Sequence, residues 1–265
     1  MAPHHVLVLG GHGKIAQLLT PLLLKRSWDV TSIIRAHEQE AAVQKLGDIK
    51  DSSSAGKLNV LVRSIEDVKS EDDAKAVLDE VKGVDYVVWS AGAGGKGGAE
   101  RTYAIDRDAA IYFTRAAAAT PSIKRFLLIS YLASRRDKPS WWSEEEWKAA
   151  EEVNESLPAY YKAKIAADEE LYKVSKQRGP GFVGINLRPG TLTLDPAGKV
   201  ELGKTKGSRG NVSRESVAKV ADQLLAREGV KNSWIDLLDG DEDVEKAVER
   251  VVREGVDAAE GEPVY

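Results

Sequence analysis

Val6-Leu7-Val8-Leu9-Gly10-Gly11-His12-Gly13-Lys14-Ile15-Ala16 is the stretch whose reading decides the fold of this chain. Four consecutive apolar residues run into glycines, the pattern of a short strand buried on both faces. Past the turn, Ile15, Leu18, Leu19, Leu22 and Leu23 recur at helical spacing within Lys14 to Lys25. The turn fits G-x-x-G-x-x-A from Gly10 and G-x-G-x-x-A from Gly11. One glycine permits the tight exit from the strand, another lets backbone approach a pyrophosphate, and small Ala16 lets the helix pack close to the sheet. The free N–H groups and positive dipole end of the helix then favour phosphate. The plainer alternative is a structural corner, with His12 an exposed spacer.

Outward from that corner the alternation continues. Strands are expected at Val30 to Ile34, Leu58 to Val62, Val84 to Trp89, Arg125 to Ile129, Phe182 to Leu187 and Trp234 to Leu238. Helices are expected near Glu38 to Leu46, Asp72 to Val81, Arg101 to Ala119, Tyr160 to Gln177, Val217 to Leu225 (opened by Ser213) and Val244 to Val252. Strands separated by helices imply parallel βαβ units, hence an α/β, doubly wound, mainly parallel sheet flanked by helices. No repeat or long linker divides the chain. One domain over residues 1–265 is expected, with substrate-side elements at about 134–160 and 189–265.

Composition narrows the function classes. Of 265 residues, 42% are hydrophobic, enough for a sizeable core, and the net charge of −4 argues against a general nucleic-acid binder. The absence of cysteine excludes disulfides and thiolate chemistry and suits a reducing compartment. No apolar run approaches the roughly 18 residues of a membrane span, and Met1 to Gly13 does not read as a signal peptide. His4, His5 and His37 sit at strand ends, a poor start for a metal cluster, so no metal is expected. A cytoplasmic protein, monomer or homodimer, with a small-molecule substrate is the expectation.

The second strand ends at Arg35, where folds that prefer NAD place an acid for the ribose 2′-hydroxyl. A guanidinium there can grip a 2′-phosphate, which favours NADP(H) over NAD(H). Ser90, Ala91 and Gly92 open the glycine-rich loop after the fourth strand, which also holds Lys96 and reads either as a wall beside the cofactor ribose or as a surface loop. Tyr160 and Lys164 lie four apart, on one face of one helix. An ammonium beside a phenol favours phenolate, so the pair suits proton transfer at a carbonyl or alcohol.

Taken in order, the glycine turn, Tyr160-x-x-x-Lys164 and Leu187-Arg188-Pro189-Gly190 resemble the short-chain dehydrogenase/reductase superfamily. More narrowly, they resemble its atypical, NmrA-like and flavin/biliverdin-reductase-like NAD(P)-binding branch. The resemblance covers Val6 to about Gly240 and implies a Rossmann-like fold. It implies a cofactor site from Gly10, Gly11, His12, Gly13, Lys14 and Ile15, with Arg35 selecting the 2′-phosphate. Tyr160 would be the acid/base, and Lys164 would bind the nicotinamide ribose and tune Tyr160. Pro189, Gly190 and Thr191 would border the nicotinamide. The superfamily's serine after strand five is often the second of a Ser-Ser pair; here Ser130 takes the first place and Tyr131 the second. Either Ser130 serves or the site lacks its serine, which would tell against ordinary carbonyl reduction.

Between Ser134 and Tyr160 lie Arg135, Arg136, Lys138 and three of the six tryptophans, Trp141, Trp142 and Trp147. They read either as a lid over the nicotinamide end or as a packed surface excursion, and the cations as an anion site or a solvated run. The expected activity is NADP(H)-dependent hydride transfer to or from a small carbonyl, quinone or flavin-like substrate. The alternatives are a non-catalytic redox sensor and an NAD(P)-using epimerase or dehydratase.

Overall fold

The computed structural model describes residues 4–49, 55–94 and 97–265. Strand β1 (His5–Leu9) leads through the glycine turn into α1 (Lys14–Lys25). Then follow β2 (Asp29–Ile34), the short α2 (Glu40–Gln44), β3 (Leu58–Val62), α3 (Glu71–Glu80) and β4 (Tyr86–Trp89). Helix α4 (Gly98–Thr102) continues through a π-helical stretch, Tyr103–Ala109, into α5 (Ala110–Ala119). Next come β5 (Arg125–Ile129), α6 (Glu144–Ser156), α7 (Pro158–Arg178) and β6 (Val183–Pro189). The last part holds β7 (Thr191–Thr193), β8 (Val200–Gly203), β9 (Asn211–Ser213), α8 (Arg214–Ala226), β10 (Ser233–Asp239) and α9 (Val244–Glu254).

Eight strands form one sheet in the order β3-β2-β1-β4-β5-β6-β10-β8, parallel throughout except for β8, which runs antiparallel to β10. β7 and β9 pair in a separate two-stranded ribbon. The alternating side chains of β1 show why its apolar run is unbroken. Val6 and Val8 enter the core layer beneath α1 and α8, while Leu7 and Leu9 enter the opposite layer with Phe113 and Leu171. This is the Rossmann-like, doubly wound fold. Strand order reverses between β1 and β4, so a crevice opens at their carboxyl ends, where such folds place ligands.

Three features depart from the sequence reading. The long alanine-rich helix is not uniform: a π-helical stretch over Tyr103–Ala109 turns Asp106 inward. Helix α6 occupies the acidic run after Trp142, with the Ser143 hydroxyl accepting from the Glu146 amide as its cap. Beyond Pro189, the ribbon and the antiparallel edge strand carry a segment expected only as loosely assigned elements.

The two loops at the switch point touch. Gly10 has φ +85°, and a Cβ there would lie 2.7 Å from the Ala91 Cα. Gly10→Ala is expected to cost the roughly 1–2 kcal/mol of a left-handed alanine and a further amount from separating the loops. Gly179, at φ +72°, has open space around it, so Gly179→Ala carries the conformational cost alone. Urea unfolding of both variants measures the difference; equal losses would mean the β1 and β4 loops are not packed against each other.

Candidate active site

At the mouth of the crevice, the Gly10 carbonyl accepts from the Gly13 amide at 2.8 Å and the Gly11 amide donates to the Ile33 carbonyl at 2.8 Å. The Gln17 amide donates to the Gly13 carbonyl at 2.9 Å as α1 begins. The amides of Lys14, Ile15 and Ala16, in the first turn, have no intrahelical acceptor. Gly13 caps the helix without a side-chain bond, leaving that end open. Gly13 and Ile15, on either side of this helix start, line the space beside it, which a phosphate could fill.

Two hollows meet there. One, of about 220 Å³, is lined by Gly10, His12, Gly13, Arg35, Arg63 and Arg101 among others. The other, of about 580 Å³, is lined by Ile15, Asp106, Ser130, Tyr160, Lys164 and Leu192 among others. Both share Ser90, Ala91 and Gly92. The result is a trough along the carboxyl ends of β2, β1, β4 and β5, from Arg35 to Lys164. Its length, open helix amides and cationic far end could hold a dinucleotide phosphate backbone.

At that far end Arg35 is exposed, with its guanidinium 3.6 Å from Glu66. Glu66 is gripped by Arg101 through two bonds of 2.7 and 3.1 Å, which hold its carboxyl below the ordinary range. Arg63 donates to Glu80 at 2.8 Å. Among the described residues, Glu66 is the lone acid lining this hollow, beside three guanidinium groups.

At the other end, Tyr160 and Lys164 project from α7 into the same cleft. Lys164 is buried and donates from Nζ to the Ile129 carbonyl at 2.7 Å. Burial lowers its pKa, opposed by Asp106 and Asp168. At Tyr160 the direction is toward the neutral phenol. Burial first, then Asp106 and Asp168, push its pKa up. Burial and the two carboxylates, rather than the Lys164 ammonium, set the direction at this phenol.

Ser130 lines the cleft, and its hydroxyl donates to Asp168 Oδ2 at 2.7 Å. Tyr131, in the place of the second serine, turns away and donates to Asn154 Oδ1 at 2.5 Å, while its ring packs on Tyr160 at 4.9 Å between centroids. Beneath Ser130 runs a buried ionic chain. Arg188 bonds Asp168 at 2.7 Å and Asp236 at 3.0 Å, and Arg135 bonds Asp236 at 2.5 Å and Glu262 at 3.4 Å.

Several expected site residues lie elsewhere. Gly11 does not line the trough: a Cβ there would sit 2.0 Å from the Ser32 hydroxyl, so this glycine serves the packing of the turn on β2. Lys14 faces a different groove, with Thr193, Asp195 and Arg214. Pro189, Gly190 and Thr191 tie loops together, with the Pro189 carbonyl accepting from Leu132 and the Gly190 and Thr191 amides donating to Leu237 and Gly210. Leu192 reaches the cleft in their place. Lys96 lies outside the described residues.

The tryptophans are not a lid. Trp142 is buried and donates to the Thr205 carbonyl at 2.8 Å. Trp141 and Trp142 flank the Arg135 guanidinium at 5.4 and 4.9 Å. The cations near them are paired, Arg136 with Glu169 and Lys138 with Glu144. Among the described residues, no group of three or more histidines and acids stands together to hold a metal. No described helix is long and apolar enough to cross a membrane.

Asp106, Asp168 and Arg188 are the site residues that sequence reasoning missed. Asp106 had a signal: it stands in the inward row Ile105, Asp106, Ala109, Ala110, Phe113 of an otherwise apolar helix face. It accepts from the Ala93 amide at 2.9 Å, and its pKa is raised by burial against the pull of Lys164.

Residues 10–228 match the model of a family described as NAD(P)H-binding. A UPF0659 protein of Schizosaccharomyces pombe is 31% identical over 252 residues, 94% of this chain and 95% of that one. An uncharacterized sugar epimerase of Bacillus subtilis, YhfK, is 29% identical over 248 residues, 93% of this chain and 99% of that one. A solved structure of a putative NAD-dependent epimerase/dehydratase from Bacillus halodurans superposes with a TM-score of 0.73. It is 25% identical, and the match covers 93% of this chain and 99% of that one.

Proposed function

Because the chain belongs to the NAD(P)H-binding family, within the atypical short-chain dehydrogenase/reductase-like superfamily, we propose that it is an NADP(H)-dependent oxidoreductase. Its substrate is a small carbonyl, quinone or flavin-like compound. The observation that carries this reading is the convergence of Tyr160, Lys164 and Ser130 on one cleft that opens into the trough at α1.

Bound in the trough, the reduced nicotinamide of NADPH supplies a hydride. The chain's own residues do the rest. Tyr160, kept neutral by burial and nearby carboxylates, donates its phenolic proton to the substrate oxygen. Lys164, anchored on the Ile129 carbonyl, lines the same cleft as the phenol and would hold the cofactor's ribose there. Asp106 faces Lys164 and holds the β4 loop through the Ala93 amide. Ser130 lines the cleft beside the place of the substrate oxygen, with its proton given to Asp168. Ile15, Leu157 and Leu192 line the apolar wall that keeps water from the reacting atoms.

Loss of NADPH absorbance with a panel of quinones, flavins and aldehydes tests this activity. A second reading is supported by the names of two relatives, the sugar epimerase YhfK and the epimerase/dehydratase of B. halodurans. Interconversion of sugar epimers with no net NADPH consumption would favour it. Tight cofactor binding without turnover of any kind would favour a sensor.

Preference for the 2′-phosphate rests on Arg35. Arg35→Ala is expected to weaken NADPH by about 1.5–3 kcal/mol, the range of a charge-assisted hydrogen bond, and to leave NADH almost unchanged. The bond lost to Glu66 is long and exposed, so the fold hardly feels the change. Equal losses for both nucleotides in calorimetry would contradict the preference.

A further inference from the structure

We propose that Asp168 is a positioning residue that sets the hydrogen-bond polarity of Ser130. The ionised carboxylate turns the serine proton away from the cleft, and the neutral carboxyl releases it toward a substrate oxygen. The consequence for turnover rests on the oxidoreductase reading; the polarity itself rests on the buried geometry.

A serine hydroxyl has one proton. Here it is spent on Asp168 Oδ2, 2.7 Å away, although Ser130 lines the cleft. Only lone pairs are left to face a ligand, and those cannot bond a carbonyl oxygen. Asp168 is fully buried, its Oδ2 also accepts from Arg188 Nη1 at 2.7 Å, and its Oδ1 has no hydrogen-bond partner among the described residues. Ser130 is the route for a proton to Asp168: its Oγ takes a proton from the cleft and passes its own to Oδ2, which then donates back to Oγ and keeps a lone pair for Arg188. The Ser130 proton is then free to point into the cleft. No bond to carbon forms or breaks in this switch.

Charged and polar groups press on Asp168 from every side. Arg188 comes from β6, backed by Asp236 on β10 and Arg135, and Lys164 comes from its own helix with Asp106 beyond. Ser130 lies at the end of β5. Ser134 also favours the carboxylate without a well-formed bond to it, and the Tyr131 and Tyr160 phenols feel its charge. Burial outweighs Arg188, Lys164 and the two serines, and the carboxyl is raised to about 6.

NMR of protein carrying carbon-13 at its aspartate carboxyls tests the coupling without turnover. Asp168→Asn identifies the resonance, and Ser130→Ala removes the donated bond while sparing the Arg188 ion pair. The expected result is titration near pH 6 in the wild type, with a midpoint that moves upward in Ser130→Ala. A midpoint near the ordinary value of about 3.9, or one unmoved in Ser130→Ala, overturns the proposal. With a quinone or aldehyde that is turned over, kcat/KM is expected to rise about 2- to 10-fold as pH falls through Asp168's titration, one neutral hydrogen bond's worth. That rise disappears in both variants; its survival in Ser130→Ala also overturns the proposal. If nothing in the panel is reduced, the oxidoreductase reading fails and the NMR result decides the polarity alone.

Discussion

Phenylalanine in place of Tyr160 is expected to lower kcat by about 10²–10⁴-fold, the usual contribution of a positioned proton donor, with little change in NADPH affinity. The ring's packing on Tyr131 survives the change, because only the hydroxyl is removed, so the loss would be chemical. The pH dependence has a definite sign. Tyr160's pKa is raised by burial and by Asp106 and Asp168, so the phenol keeps its proton across neutral pH. Reduction should therefore show no fall in rate from tyrosine ionisation as pH rises toward the ordinary tyrosine range of about 10. Steady-state kinetics of the wild type and Tyr160→Phe measure both effects. Unchanged turnover in the variant would remove Tyr160 from the chemistry.

The largest stability effect is expected at Arg188. Its guanidinium is fully buried, bonds Asp168 and Asp236, donates to the Leu132 and Ser134 carbonyls at 3.2 and 2.6 Å, and stacks 4.2 Å from the Trp234 ring centre. Arg188→Ala leaves two buried carboxylates and two carbonyls short of a donor. Breaking a buried pair in this way costs about 3–5 kcal/mol, a large part of a typical net stability of about 5–15 kcal/mol. Arg188→Lys recovers only part, since an ammonium cannot reproduce the planar fork. The penalty also depends on pH. Asp168's folded pKa is already raised, to about 6, and losing Arg188 raises it further. Protonation below that value relieves the unpaired charge, so the variant is expected to lose less stability near pH 5 than near pH 8. Urea unfolding at the two pH values measures this; a penalty under 1 kcal/mol at both would contradict the ionic chain's role.

The parts of this molecule that were legible in its sequence are those set by local periodicity. Val6 to Leu9 needed both faces buried, the glycines needed a corner, and Tyr160 and Lys164 needed only one helix to share a face. All three are found in those places. What escaped depends on positions far apart in the chain. Asp168, Arg188 and Asp236 meet because β6 lies beside β10 and α7 packs over them. No spacing rule links those three numbers. The resemblance puts Pro189 to Thr191 at the cofactor; their backbone bonds Leu132, Leu237 and Gly210, and Leu192 is the residue of this segment that lines the cleft.

Other features were legible and passed over. Ser143-x-x-Glu146 is a capping-box spacing that announces α6, and of the two readings of the tryptophans beside it the packed excursion is the one the fold matches. Those indoles instead hold Arg135, whose charge is shared between Asp236 and Glu262. Asp106 broke an apolar helical row, a pattern that calls for a reason inside the fold.

Calorimetric titration of NADPH, and separately NADH, into the intact protein is the most direct test that the open amides at the start of α1 seat a dinucleotide. One site per chain, with NADPH the tighter ligand and much of that advantage lost in Arg35→Ala, is the expected result. No heat from either nucleotide at millimolar concentration would contradict it.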